Sequence, residues 1–168
     1  MSINRVDTVK PKIKVIDNFL NKEFFLQLKD LILGERFSWF FNNYKVYKND
    51  DDFQFTHTVI KESKTTSTFI KYINPILSNL KAKKTIQVKL NLQTKKNKIY
   101  NHIFHTDIPD VTTAIFYINT NNGKTIFKNG EEVSSVENRM VIFDSNLEHT
   151  GTSHTDTKRR VLINFNYI

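Results

Sequence analysis

From Thr85 to the last residue the chain breaks into short runs of strand character, among them "TIQVKLNLQT", "VTTAIFYIN", "KTIFK", "MVIFD" and "RRVLINFNYI". Apolar residues recurring with a period of two mark strands that bury one face. "IYNHIFHTD" reads as a further strand. Turn signals separate the runs, "TNNG" at 120–123 and "KNGEE" at 128–132, and both suit tight hairpins. Gly34, Gly123, Gly130 and Gly151, all the glycines of the chain, fall at element ends or in turns. Six or more strands following two helical stretches predict an α+β protein on an antiparallel sandwich or barrel, with the helices bracing one outer face.

The helical stretches lie in the first half. "IKVIDNFL" at 13–20 reads as a strand and turn, after which Asn21 can cap a helix. Its stripe is Phe24, Phe25, Leu28, Leu31 and Ile32, and Gly34 ends it. The aromatic run "FSWFFNNY" at 37–44 is expected to pack in the core around Trp39. A polar loop at 48–52 and a strand around "FQFTHTVI" come next, then a second helix over roughly 65–80. That helix should bury Phe69, Ile70, Ile73, Ile76, Leu77 and Leu80, with a kink at Pro75.

A chain of 168 residues with 39% hydrophobic content has room for one domain with a real core. The reading is a single domain over 1–168, with a helical support region at 1–84 and a strand-rich core at 85–168. No apolar run is long enough to cross a bilayer, and the opening "MSINRVDTVKPKIKVIDNFL" is too polar for a secretory signal. The expectation is a cytoplasmic protein with no membrane partner. The absence of cysteine excludes disulfides, thiolate metal sites and a Cys nucleophile, so any metal must be held by His, carboxylate or carbonyl groups. The net charge of +8, concentrated in "KAKK", "TKKNK" and "KRR", either forms a solvated face or favours an anionic partner, nucleic acid included.

The tripeptide His-Thr-Asp occurs twice, at 105–107 and at 154–156. On an extended chain residues i and i+2 point to one side, so an imidazole and a carboxylate can grip one cation. A third ligand downstream distinguishes the two copies. His149 lies 42 residues beyond Asp107, just past the strand "RMVIFD", whereas His154 is the last histidine of the chain. His105, Asp107 and His149 therefore make a complete set of two imidazoles and one carboxylate, the facial arrangement that leaves an Fe(II) centre open positions for substrate and oxygen. Asp144 or Glu148 can hold the His149 ring. His102, three before His105, faces away on a strand, and His57 and His154 are read as structural.

Arg159 and Arg160 open the last strand, ten and eleven residues after His149. A planar guanidinium fork suits bidentate binding of a carboxylate, such as the far end of a dicarboxylic co-substrate. Neighbours on a strand face opposite ways, so one of the two can point inward. Simple burial favours Arg159, which shares a face with Val161, Ile163, Phe165 and Tyr167. If two helices cover that apolar face and the interior is a polar cavity, the inner residue is Arg160, and this second reading is preferred.

The arrangement "HTD…NTNNGKTIF…ENRMVIFDSNLEHTG…RRVLINFNY" resembles the 2-oxoglutarate/Fe(II)-dependent oxygenases, in particular the short prolyl-4-hydroxylase-like members of marine phages and bacteria. The resemblance covers roughly 85–168, with "VIDNFL…LKDLIL" fitting the family's opening helix more loosely. It implies a double-stranded β-helix, or jelly roll, of antiparallel strands. It also implies an enzyme that uses Fe(II), 2-oxoglutarate and O2, hydroxylates a C–H bond and releases succinate and carbon dioxide. His105, Asp107 and His149 would ligate the metal and Arg160 the distal carboxylate of 2-oxoglutarate, with Tyr117 helping to hold that carboxylate and Asn91 lining the pocket. A protein or peptide substrate, prolyl above all, is implied most directly. Oxidative demethylation or hydroxylation of nucleic acid and a non-catalytic metal-binding module are the other readings. The setting would be the cytoplasm, in a phage-encoded case that of an infected bacterium.

Overall fold

A computed structural model describes residues 13–48 and 52–168; the first twelve residues and most of the polar loop read at 48–52 lie outside the described residues. The elements run β1 (Lys14–Ile16), α1 (Lys22–Leu33), β2 (Phe40–Asn42), β3 (Gln54–Lys61), β4 (Lys64–Thr65), α2 (Ile70–Leu80) and β5 (Thr85–Thr94). The second half adds β6 (Thr112–Tyr117), β7 (Lys124–Phe127), β8 (Glu132–Ser134), β9 (Arg139–Asp144), β10 (His149–Gly151) and β11 (Arg159–Tyr167). The large sheet has the order β1-β9-β6-β11-β5-β3-β2, with β4 beside β3, and the small one the order β10-β7-β8. All pairs are antiparallel, and the fold is a jelly roll with two helices against its large sheet.

Strand alternation divides the large sheet into two faces with separate cores. Val88 and Leu90 of β5, Ala114 and Phe116 of β6, and Val161, Ile163 and Phe165 of β11 pack under the helices against Phe25, Leu28, Ile32, Ile73 and Ile76. The opposite face sends Ile115, Tyr117, Val141, Phe143 and Leu162 to meet Phe127 and Val133 of the small sheet. Each such side chain contributes about 1.5–3 kcal/mol by leaving water, so both faces are pinned in register. The polar residues Lys89, Asn91 and Gln93 of β5, and Arg160 and Asn164 of β11, share this second face and line a cavity.

Helix α1 begins where the sequence places it. The Asn21 side chain accepts the Phe24 N–H at 2.9 Å, and the Gly34 N–H bonds the Leu31 carbonyl at the other end. At this C-terminus Arg159 donates from Nη2 to the Leu33 carbonyl at 2.6 Å, a cation where the helix dipole favours one.

Several expectations give way. Leu31 of the α1 stripe is exposed, and α2 starts at Ile70, because residues 64–65 pair with β3 as β4 instead of entering the helix. Trp39 packs against the core half-buried, but Phe40 and Phe41 are 62% and 61% exposed on β2, an edge strand three residues long. "TNNG" closes no hairpin: it carries the chain from β6 in one sheet to β7 in the other, whereas "KNGEE" does join β7 to β8, with Gly130 at φ +90°. "IYNHIFHTD" makes no ladder. It contributes two isolated bridges, Asn101 to Thr152 and His105 to His149.

Candidate metal centre

The His105–His149 bridge is the scaffold of the site. Each residue donates its backbone N–H to the other's carbonyl, at 3.0 and 2.9 Å, which brings the ring centroids to 4.7 Å. Asp107 is tied to the same corner by its backbone N–H to the Ser145 carbonyl at 3.2 Å. Ligand atoms of His105, Asp107 and His149 lie within 4.8 Å of one another, and Asp107 Oδ1 is 3.9 Å from His105 Nε2.

The hydrogen bonds around these three residues select which atoms face the centre. His105 Nδ1 lies 3.1 Å from the Ile103 carbonyl and His149 Nδ1 lies 3.0 Å from the Leu147 carbonyl. A carbonyl can only accept, so both Nδ1 atoms carry the proton and both Nε2 atoms present a lone pair, the tautomer a metal needs. It is thus the backbone, and neither Asp144 nor Glu148, that holds His149. Asp107 divides its oxygens: Oδ2 accepts from Thr113 Oγ1 at 2.9 Å and from Asn164 and Asn166 Nδ2 at 3.2 Å each. These anchors leave Oδ1 turned toward the imidazoles.

Electrostatics point the same way. Burial pushes the Asp107 carboxyl up, but His149, the two asparagine amides and His105 together hold it below the usual aspartate value. Burial lowers the His149 pKa, with Asp107 drawing it partly back. An ionised carboxylate beside a neutral imidazole is the charge state in which both can ligate.

Arg160 lies at the end of the same cavity, 1% exposed, and Arg159 points to α1 on the other face. The Arg160 fork is held by Ser135 Oγ at 3.0 Å from Nε and by the Lys124 carbonyl at 3.2 Å from Nη2, and its guanidinium stands 5.9 Å from the Tyr117 ring centroid. Among the described residues no carboxylate pairs with it, and burial pulls its pKa down. Two glycines make room for the fork. A Cβ on Gly123 would meet Arg160 Cδ and Nε at 2.9 Å, and one on Gly151 would meet Nη1 at 3.2 Å.

The remaining expected residues separate. Asn91 lines the cavity, and its buried Oδ1, like Gln93 Oε1 and Asn164 Oδ1 on the same wall, has no hydrogen-bond partner among the described residues. Tyr117 is fully buried beneath the cavity and bonds Thr125 Oγ1 at 2.7 Å; Thr125, and not the tyrosine, reaches the lining. His57 bridges the Ser38 carbonyl and Ser67 Oγ, as a structural histidine would. His154 is buried, its charged form opposed by burial and by Arg160, and it stands apart from the three-ligand cluster. His102 does not face away. It lines the cavity with Nε2 3.1 Å from Lys45 Nζ, because 101–105 pairs only through single bridges at its two ends, where strand alternation does not apply.

Asp52 holds Lys45 of the lining, accepting from its Nζ at 2.5 Å, and also accepts from Lys96 Nζ and Tyr100 OH at 2.9 Å each. Burial opposes its charge, yet the two ammonium groups hold its carboxyl far below the usual range.

Sequence reasoning missed Asn164, Asn166, Lys89 and Gln93. The available signal was polar residues on one alternating face of the runs "KLNLQ" and "RVLINFN", in phase with Arg160 and interrupted only by Leu162.

No protein-family model and no curated protein matches the sequence. Solved structures do match. A 2OG-Fe(II) oxygenase family oxidoreductase from Burkholderia pseudomallei shares 7% identity at a TM-score of 0.69, over 92% of this chain and 84% of that one. A prolyl hydroxylase from Trichoplax adhaerens, in complex with a hypoxia inducible factor oxygen degradation domain peptide fragment, shares 14% at 0.65, over 93% and 83%. HygX from Streptomyces hygroscopicus, with nickel and 2-oxoglutarate bound, shares 12% at 0.58, over 94% and 82%. Likeness at these identities establishes the jelly-roll fold; the chemistry rests on the residues of this chain.

Proposed function

We propose that this chain is a 2-oxoglutarate- and Fe(II)-dependent dioxygenase that hydroxylates a C–H bond, with a prolyl or other side chain of a protein or peptide as its substrate. One observation carries the reading: a buried guanidinium without a carboxylate partner among the described residues opens into the same cavity as a His-Asp-His cluster whose tautomers and oxygens are already set for a metal. A buried charge is costly unless an opposite charge meets it, so Arg160 calls for an anionic ligand at that end of the cavity.

The donor set fits the metal. Two imidazole nitrogens and one carboxylate oxygen suit Fe(II) and leave coordination positions open. When bound, metal and 2-oxoglutarate supply the oxidative chemistry, in which O2 is consumed, the co-substrate becomes succinate and carbon dioxide, and a C–H becomes C–OH.

The protein's own part is positioning. Arg160, braced by Ser135 and the Lys124 carbonyl, binds the distal carboxylate through a fork that cannot swing. Thr125, held by the Tyr117 hydroxyl, offers a polar group beside it. Asn91 and Gln93 line the wall between, and Ile115 and Leu162 present apolar surface that keeps water from the reacting region. The neighbouring fold of a prolyl hydroxylase solved with a peptide supports a peptide substrate.

Succinate release from 2-oxoglutarate, measured with Fe(II) under air, tests the reading. The wild type is expected to turn over and Arg160→Met to raise the KM for 2-oxoglutarate about 10–100-fold, the value of charge-assisted hydrogen bonds. Metal binding should be retained. Metal binding without succinate, in the presence of peptide pools and oligonucleotides alike, would instead assign a binding module.

A further inference from the structure

Lys89 is, with Lys45 and Arg160, one of three lysine or arginine cations that line the cavity. It lies on β5 in phase with Asn91 and Gln93, and it lines the cavity with them. Register places it abreast of Asn164, whose amide holds Asp107, whereas Gln93, four residues along, is abreast of Arg160. Lys89 and Arg160 are thus separated by about 13 Å of strand, with Lys89 at the metal end. Its ammonium makes no ion pair or side-chain hydrogen bond among the described residues. Burial lowers its pKa and the Asp107 carboxylate draws it back.

Charge bookkeeping isolates it, on the proposed assignment of the site. Lys45 already has a carboxylate partner in Asp52, which it shares with Lys96. The distal carboxylate of 2-oxoglutarate meets Arg160. A divalent metal is balanced by Asp107 and by the carboxylate at the other end of the co-substrate. Among the described residues, the lysine of the lining left without a carboxylate partner is Lys89.

We propose that Lys89 is a specificity-determining residue that anchors a carboxylate of the substrate beside the metal, so that the preferred substrate is acidic next to the carbon that is oxidised. The inference rests on the dioxygenase reading and adds the substrate's charge to it. The carboxylate can be a main-chain terminus or an acidic side chain, and the cation recognises both by the same chemistry. A neutral substrate would leave the ammonium desolvated without compensation, which penalises it.

The test uses three probes on one skeleton: N-acetylglutamine with a free main-chain carboxylate, N-acetylglutamic acid α-amide with a side-chain carboxylate, and N-acetylglutaminamide with neither. Each is titrated calorimetrically into the anaerobic protein loaded with Fe(II) and 2-oxoglutarate. The affinity for 2-oxoglutarate is read separately from the charge-transfer absorption of the complex.

The wild type is expected to bind at least one acid about 10-fold more tightly than the neutral probe, and the stronger acid names the carboxylate's source. Lys89→Met and Lys89→Gln should erase the preference and leave the affinity for 2-oxoglutarate within about twofold, while Lys89→Arg keeps it. The inference is overturned if the wild type binds all three probes alike, or if Lys89→Met and Lys89→Gln weaken 2-oxoglutarate itself, which would make Lys89 part of the co-substrate site. Absence of the absorption in the wild type would overturn the dioxygenase reading, and the inference with it.

Discussion

The backbones of His105 and His149 hydrogen-bond each other in both directions, and each ring turns its Nδ1 to the carbonyl two residues before it, of Ile103 and Leu147. Two residues 44 positions apart in the chain therefore present equivalent Nε2 lone pairs to one point. Main chain does the aligning. His105→Ala and His149→Ala should each abolish tight Fe(II) or Zn(II) binding while the far-ultraviolet circular dichroism stays that of the wild type, because the bridge that holds the corner survives.

Asp107 is aimed by three side chains rather than by its own rotamer alone. Asn164→Leu and Asn166→Leu remove amide donors from Oδ2 and free the carboxylate to turn. Metal affinity is expected to fall about 10–100-fold in each, as for other partners of ligating groups. Competition against a chelator of known affinity measures it. Asn166→Leu should be the more costly for stability as well, since its Nδ2 also donates to Thr113 Oγ1 at 3.0 Å.

Gly123→Ala separates co-substrate binding from metal binding. The new Cβ would sit 2.9 Å from Arg160 Cδ and Nε and 2.8 Å from Asn121 Oδ1, so the buried fork has to move. The affinity for 2-oxoglutarate should fall about 10-fold, or ~1.4 kcal/mol, with the metal affinity unchanged. Arg159→Met, by contrast, should leave 2-oxoglutarate binding intact and cost about 1 kcal/mol of stability through the lost Leu33 bond.

Asp52 links the cavity mouth to pH. Its carboxyl is depressed in the folded protein by Lys45 and Lys96, so its stabilising contribution is complete above the unfolded-chain value of about 3.9 and is lost as pH falls through the folded value. Asp52→Asn should lower stability by about 1.5–3 kcal/mol near neutrality. The gap between variant and wild type, measured by urea unfolding, should be constant above about pH 5 and close in stronger acid.

The His-Asp-His cluster was legible in the sequence because His-x-Asp spacing and a downstream histidine are local facts that any jelly roll brings together. Which of the two arginines faces inward is legible too, from strand alternation joined to the presence of two helices: Arg160 lines the cavity and Arg159 lies at the end of α1. His102 was misplaced for the converse reason, since alternation was assumed where the backbone only bridges. Phe40 and Phe41 were expected inside on hydrophobicity, but an edge strand has no neighbour to bury them. The strands β8 and β10, three residues each, are too short for periodicity to register.

A single site for metal and 2-oxo acid built on the first His-Thr-Asp can be read out by adding Fe(II) and 2-oxoglutarate anaerobically and recording the metal-to-ligand charge-transfer absorption. The band is expected in the wild type and in His154→Ala and is expected to be lost in His105→Ala. A wild type without the band, or a band that survives the loss of His105 and vanishes with that of His154, would contradict that assignment.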